Sequence, residues 1–230
     1  MYESHFTHLF FRLWGIAESQ TGSANPQVQL LGNSQNKFDA LLGDVMGCAN
    51  ARYFIIEFKL ARAGVAKELA AKKHRELLIS HLEGTSAQDK YCLALSKAGH
   101  YAAYPEDGAL MFEHYFDAAK GNAQNTILSF DKFYNELNTD GTEDPDTKLF
   151  TTGIGWPKET FFDYVDCMYE HLDEWPSDDG KIYLGIVDPK TAEVIVFSGT
   201  PETLKKEVLA ALKASEVVMK KALGGPKKPF

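Results

Sequence analysis

The chain has 230 residues, of which 44% are hydrophobic, 12% aromatic and 24% charged, enough to bury a core and too aromatic for a disordered chain. The net charge of −8 discourages bulk electrostatic capture of nucleic acid, but residues 136–179 alone hold 13 acidic and 2 basic residues. The rest is therefore net positive, and nucleic acid is not excluded. Cys48, Cys92 and Cys167 lie far apart with no C-x-x-C pair, which predicts small core residues rather than a zinc ribbon or a disulfide framework, and a reducing cytoplasm. No apolar run is long enough to span a bilayer, and Met1-Tyr2-Glu3-Ser4-His5 lacks the basic start of a signal peptide.

In chain order, Phe6, Leu9, Phe10, Leu13 and Trp14 recur at three-and-four spacing and predict an amphipathic helix over 3–18, closed by the turn residues 20–26. Residues 38–46 and the β-branched, aromatic run 52–60 flank a short Gly/Asn-bearing connection and predict a β-hairpin. Residues 64–83 predict a long helix and 88–97 a short one. Residues 100–104 and 109–116 read as strands around the turn Pro105-Glu-Asp-Gly108, and Ser129 caps a helix to Leu137.

The Thr/Asp/Gly/Pro loop from Asn138 to Asp146 is the internal boundary this reading favours. It separates a core over 1–137 from a C-terminal part over 138–223 that packs on it. That part comprises a helix over 158–172, a hairpin of 181–187 with 193–197, and a closing helix over 201–221 begun by Thr200-Pro201. Residues 224–230 read as a mobile tail. The fold class predicted is mixed α/β: a central mixed sheet flanked by helices, extended by a C-terminal hairpin and helix.

One constellation stands above background: Gly43-Asp44, twelve intervening residues, then Glu57-Phe58-Lys59 at the end of the apolar run Tyr53-Phe-Ile-Ile56. Residues two apart on a strand share a face. A turn centred near residues 49 and 50 sets Asp44 opposite Ile55, on one surface with Glu57 and Lys59; a one-residue slip puts it on the other. Two converging carboxylates repel unless a cation lies between them, and hard oxygens select Mg²⁺ or Mn²⁺. A lysine beside such an ion orients or helps deprotonate a water, which is equipment for phosphodiester hydrolysis. The alternative is an ordinary exposed Glu57–Lys59 pair at a strand end.

Gly43-Asp44 … Glu57-Phe58-Lys59, between two helices, resembles the PD-(D/E)XK nuclease superfamily, and Tyr53-Phe-Ile-Ile-Glu-Phe-Lys-Leu60 carries the likeness most. It covers residues 1–105 in element order and implies a restriction-endonuclease-like sheet, Asp44 and Glu57 as metal ligands and Lys59 as the catalytic lysine. Glu3, in helical line with Phe6, Phe10 and Leu13, matches the place of an extra acidic ligand in some members. The helix after the lysine reads Glu68-Leu-Ala-Ala-Lys-Lys-His-Arg75 and lacks the Gln-x-x-x-Tyr of the RecB-like branch.

The expected function is thus a metal-dependent nuclease, with DNA as substrate along a positive side formed by Lys59, Arg62, Lys67, Lys72, Lys73 and Arg75. Lys73 reads either as a snorkelling side chain or as a phosphate contact, and His5, His8 and Arg12 as a solvated stripe or a phosphate surface. The other histidines show no ligand spacing for zinc. The competing expectation is a non-catalytic module that binds a protein partner through the acidic 158–174 helix or the tail, in a bacterial defence or toxin-related assembly; a homodimer fits either.

Overall fold

The computed structural model describes residues 3–21, 28–32, 44–49, 52–71, 73–122, 127–169, 182–187 and 194–199. Its centre is a mixed sheet of six strands in sequential order: β1 (Val28–Gly32), β2 (Val45–Ala49), β3 (Arg52–Phe58), β4 (His100–Glu106), β5 (Ala109–His114) and β6 (Leu128–Ser129). Neighbours are antiparallel except β3 and β4, which run parallel. A parallel pair needs a crossover, and α2 (Arg62–Ala71), α3 (Lys73–Leu82) and α4 (Ala87–Gly99) supply it. The mixed α/β class is therefore as expected from the sequence.

Every residue of β3 is buried, as a continuous apolar run requires in a sheet covered on both faces. On one face Phe54, Ile56 and Phe58 meet α1 (Ser4–Thr21) and α6 (Phe130–Leu137). Phe6, Phe10 and Trp14, four apart, form the inserted stripe of α1. The Phe10 ring lies within 6.5 Å of the rings of Phe54, Phe58, Phe112, Phe130 and Phe133, and burying a ring of this size contributes about 1.5–3 kcal/mol. His5, His8 and Arg12 lie on the exposed side of α1. On the opposite face Tyr53 and Ile55 pack with Val65, Leu78, Leu95 and α7 (Lys158–Tyr169). This second face also carries Glu57.

One expected element differs and one observed strand was not expected. The strand expected over 109–116 stops at His114, and Tyr115–Lys120 form α5, closed by Gly121 at φ 66°. β1 had no counterpart in the sequence reading.

Among the described residues, the chain around and after the Asn138–Asp146 loop is stitched to the core. Buried Arg52 donates from Nη1 to the Ile154 carbonyl at 3.0 Å and from Nη2 to the Thr139 carbonyl at 2.7 Å, and its guanidinium lies 3.9 Å from the Phe150 ring centroid. Tyr53 and Trp156 exchange two backbone hydrogen bonds of 2.8 Å. Gly153, at φ +73°, passes so close to this junction that a Cβ would lie 2.4 Å from the Glu136 carbonyl oxygen.

Cys92 and Cys167 are core residues, as expected, but the expectation that they are unpaired is overturned. Cys92 and Cys167 form a disulfide with Cα atoms 6.0 Å apart, joining α4 to α7 across a sequence separation of 75. Their distance along the chain hid the pairing because α4 and α7 meet only through tertiary packing. β7 (Ile182–Val187) and β8 (Val194–Gly199) form the expected antiparallel hairpin, and β7 lies beside β1. The expected hairpin strand before Asp44, residues 170–174, the closing helix over 201–221 and the tail lie outside the described residues. No described helix is long and apolar enough to cross a membrane.

Candidate functional site

The β2–β3 hairpin pairs Val45 with Ile56 and Ala49 with Arg52. Its turn is one residue later than expected, so continuing the register sets Asp44 opposite Glu57 rather than Ile55. A change of two residues in pairing preserves the face, and Asp44 and Glu57 stay on one surface. Asp44 Oδ2 accepts a hydrogen bond from the Phe58 N–H at 2.6 Å. The Lys59 N–H donates to the Ala103 carbonyl at 2.8 Å, which extends the β3–β4 pairing and fixes the root of the lysine side chain.

The Lys59 amine lies 2.6 Å from Glu57 Oε1, 3.1 Å from Glu68 Oε2 on α2 and 3.9 Å from Glu3 Oε2 at the start of α1. Lys59, Glu57 and Glu68 are buried, at 7%, 3% and 8% side-chain exposure, whereas Glu3 is 45% exposed and forms the rim. Arg75 on α3 has no side-chain exposure, and its Nη2 donates to Glu57 Oε2 at 3.0 Å. Both oxygens of Glu57 are therefore held by cations. Burial, and next the Glu57 charge, push Asp44 up to about 7. Burial alone would lower the Lys59 amine, but Glu57 and Glu68 outweigh it and hold the amine above its ordinary range.

Across the sheet Glu57 pairs with Ala102 and Ala102 with Glu113. Asp44, Glu57 and Glu113 thus form a row on one face, interrupted by one small side chain. Fully buried Glu113 accepts from Arg62 Nε at 2.8 Å, from Arg62 Nη2 at 2.6 Å and from the Tyr104 hydroxyl at 2.8 Å. Arg62 Nη2 also donates to the Asn122 carbonyl at 2.7 Å.

Behind Arg75 lies a second buried polar group. The His100 ring stacks on Tyr115 with centroids 4.4 Å apart, and its Nδ1 is 2.7 Å from the Tyr164 hydroxyl, which donates to Ser96 Oγ at 3.3 Å. Burial, reinforced by the Arg75 charge, holds His100 well below its ordinary range and so neutral.

Of the residues expected at the site, Asp44, Glu57 and Lys59 come together and Glu3 reaches their edge. Of the residues expected on a nucleic-acid surface, Arg75 is not on the surface, and Arg62 has a side chain that is 23% exposed. Arg75 is wholly enclosed and Arg62 is engaged with buried Glu113, because in each case a carboxylate in the sheet needed a counter-charge. Lys73 is exposed, and Lys72 lies outside the described residues. The sequence reading missed Glu68, Glu113 and Tyr104. Glu68 and Arg75 are seven residues apart, the spacing that returns a helix to the same face, and that signal was available.

A hard divalent cation suits this group in charge and donor chemistry. Asp44, Glu57, Glu68 and Glu3 set four carboxylates against the cations Lys59 and Arg75. A carboxyl that keeps its proton to about 7 beside another carboxylate is relieved by an added cation, and an all-oxygen donor set favours Mg²⁺ or Mn²⁺. Among the described residues no three His, Cys, Asp or Glu side chains are already drawn together as ligands.

No protein-family model, curated protein or solved structure matches this chain.

Proposed function

We propose that the protein is a metal-dependent nuclease that hydrolyses phosphodiester bonds, in DNA, at Asp44, Glu57 and Lys59. The observation that carries this reading is the Lys59 amine 2.6 Å from Glu57 Oε1, with Asp44 across the hairpin on the same face. The helix, hairpin and helical crossover to a parallel strand follow the element order that the resemblance to PD-(D/E)XK nucleases implies. Mg²⁺ or Mn²⁺ bound at Asp44 and Glu57 would supply positive charge to the scissile phosphate. Lys59, kept protonated by its carboxylate neighbours, orients the attacking water and contacts the phosphate oxygens. With Arg75 enclosed and Arg62 held by Glu113, DNA contacts fall to exposed Lys67 and Lys73.

The test is Mg²⁺ titration and DNA cleavage with wild type and Asp44→Asn, a change that leaves an oxygen to accept from Phe58. Binding and cleavage present in the wild type and lost in the variant support the reading; cleavage that survives in Asp44→Asn removes it.

A second reading draws on the fact that both Glu57 oxygens are already occupied. In that case the cluster is structural, and the exposed Glu159, Asp163 and Asp166 of α7 dock a basic protein partner. A wild-type protein that binds no divalent cation at millimolar concentration favours it. A nuclease acting on cellular DNA belongs in the cytoplasm, where a bridge such as Cys92–Cys167 is uncommon.

A further inference from the structure

Glu57 has two oxygens, and their partners are not equally able to leave. Oε2 is held by Arg75, whose side chain has no solvent exposure and whose Nε and Nη1 have no hydrogen-bond partner among the described residues. Parting Arg75 from Glu57 would strand an enclosed guanidinium. Oε1 is held by Lys59, which has a second carboxylate, Glu68, 3.1 Å away. Only the lysine contact can be surrendered while every buried charge stays paired.

We propose that Glu68 is a positioning residue, a second seat for the Lys59 amine, which takes it over when a divalent cation replaces the amine at Glu57 Oε1. This rests on the reading of Asp44 and Glu57 as metal holders. Arg75 stays on Oε2 throughout and keeps Glu57 from rotating, so the ion meets one defined oxygen. The amine remains within the site, beside the ion rather than between it and its ligand. Glu68 thereby lowers the cost of metal entry without touching the metal.

The test is a double-mutant cycle on Mg²⁺ affinity, measured by calorimetry with full-length wild type, Glu68→Gln, Lys59→Met and the double variant, each checked for folding by thermal melting. Glu68→Gln is expected to weaken Mg²⁺ binding about tenfold when Lys59 is present and to change it by no more than about twofold in the Lys59→Met background. An equal loss in both backgrounds means that Glu68 acts on the ion directly and overturns the proposal. Should Lys59→Met not fold, the ¹⁵Nζ signal of lysine-labelled protein reads the same transfer. With Mg²⁺ the Lys59 signal should persist in the wild type and be lost to solvent exchange in Glu68→Gln; identical behaviour overturns the proposal. A wild type that binds no Mg²⁺ instead defeats the nuclease reading itself, a result separate from these.

Discussion

Arg75 donates to Glu57 at 3.0 Å from a position with no solvent exposure, so the carboxylate at the centre of the candidate site also neutralises a cation in the core. The residue proposed to hold a metal is thereby a structural residue too. Glu57→Ala is expected to destabilise the protein by about 3–5 kcal/mol, since it leaves Arg75 enclosed without its counter-charge, while Lys59 keeps Glu68. Asp44→Asn should cost under about 1 kcal/mol, because it imitates a carboxyl that already favours its proton near neutrality. Urea unfolding of the two variants checks both figures. Loss of cleavage in Glu57→Ala is consequently ambiguous, and Asp44→Asn is the cleaner variant.

Asp44 also sets a pH dependence. Its folded pKa of about 7 lies above the ordinary aspartate value of 3.8. Between those two values the native state holds a proton that the unfolded chain has released, so stability falls as pH rises through that window, by about 4 kcal/mol at most. His100 acts with the opposite sign. Held low by burial, it costs stability as pH falls below its ordinary value of 6.5, where the unfolded chain takes up a proton and the native state does not. Unfolding free energy measured from pH 4 to 8 should therefore lose its falling limb in Asp44→Asn, leaving the rise that His100 produces.

Arg62 meets Glu113 through two N–H groups at 2.8 and 2.6 Å, a fork that a lysine has no means to reproduce. Arg62→Ala is expected to cost about 3 kcal/mol or more, and Arg62→Lys to recover less than half of it, because Glu113 is completely buried. Thermal unfolding of the two variants checks this. Were Arg62 instead a DNA contact, both variants would melt with the wild type.

Gly153→Ala should destabilise by about 2 kcal/mol or more. The new Cβ meets the Glu136 carbonyl and sits on a backbone with φ +73°. Faster proteolysis within 138–157, beside a lower melting temperature, is the expected signature of loosening the segment that Arg52 clamps.

The Cys92–Cys167 bridge predicts one alkylatable thiol in denatured, unreduced protein and three after reduction, counted by mass. Cys92→Ser with Cys167→Ser should lower stability by about 2–4 kcal/mol. Alkylation during cell lysis also tests the cytoplasmic expectation, since thiols found reduced in place fit a reducing compartment.

The chemistry of the hairpin was legible because a fully apolar run ending in Glu-x-Lys is a local pattern, and strand period alone places Glu57 and Lys59 together. The partners of that pair were not legible, since they arrive from α2 and α3. Lys72, Lys73 and Arg75 read as one basic patch in linear order, yet helical period sends Arg75 inward and leaves Lys73 outside. Glu113 looked like an ordinary polar residue of a strand; its role follows from standing beside Ala102 in the third dimension. The β2–β3 turn was misplaced by one residue because Gly47, Ala49, Asn50 and Ala51 offer several equivalent turn positions, while the alternation of the strands protected the face assignment. The strand expected through Phe116 failed because buried aromatics satisfy a helix packed on a core as readily as a strand.

Joining Cys92 to Cys167 closes the intervening chain into a covalent ring that contains β4, β5 and the whole of α6. A single nick anywhere inside that ring would leave one molecule, not two. Protein cleaved within the 138–157 segment should migrate intact on a non-reducing gel and separate into fragments only once reductant is added.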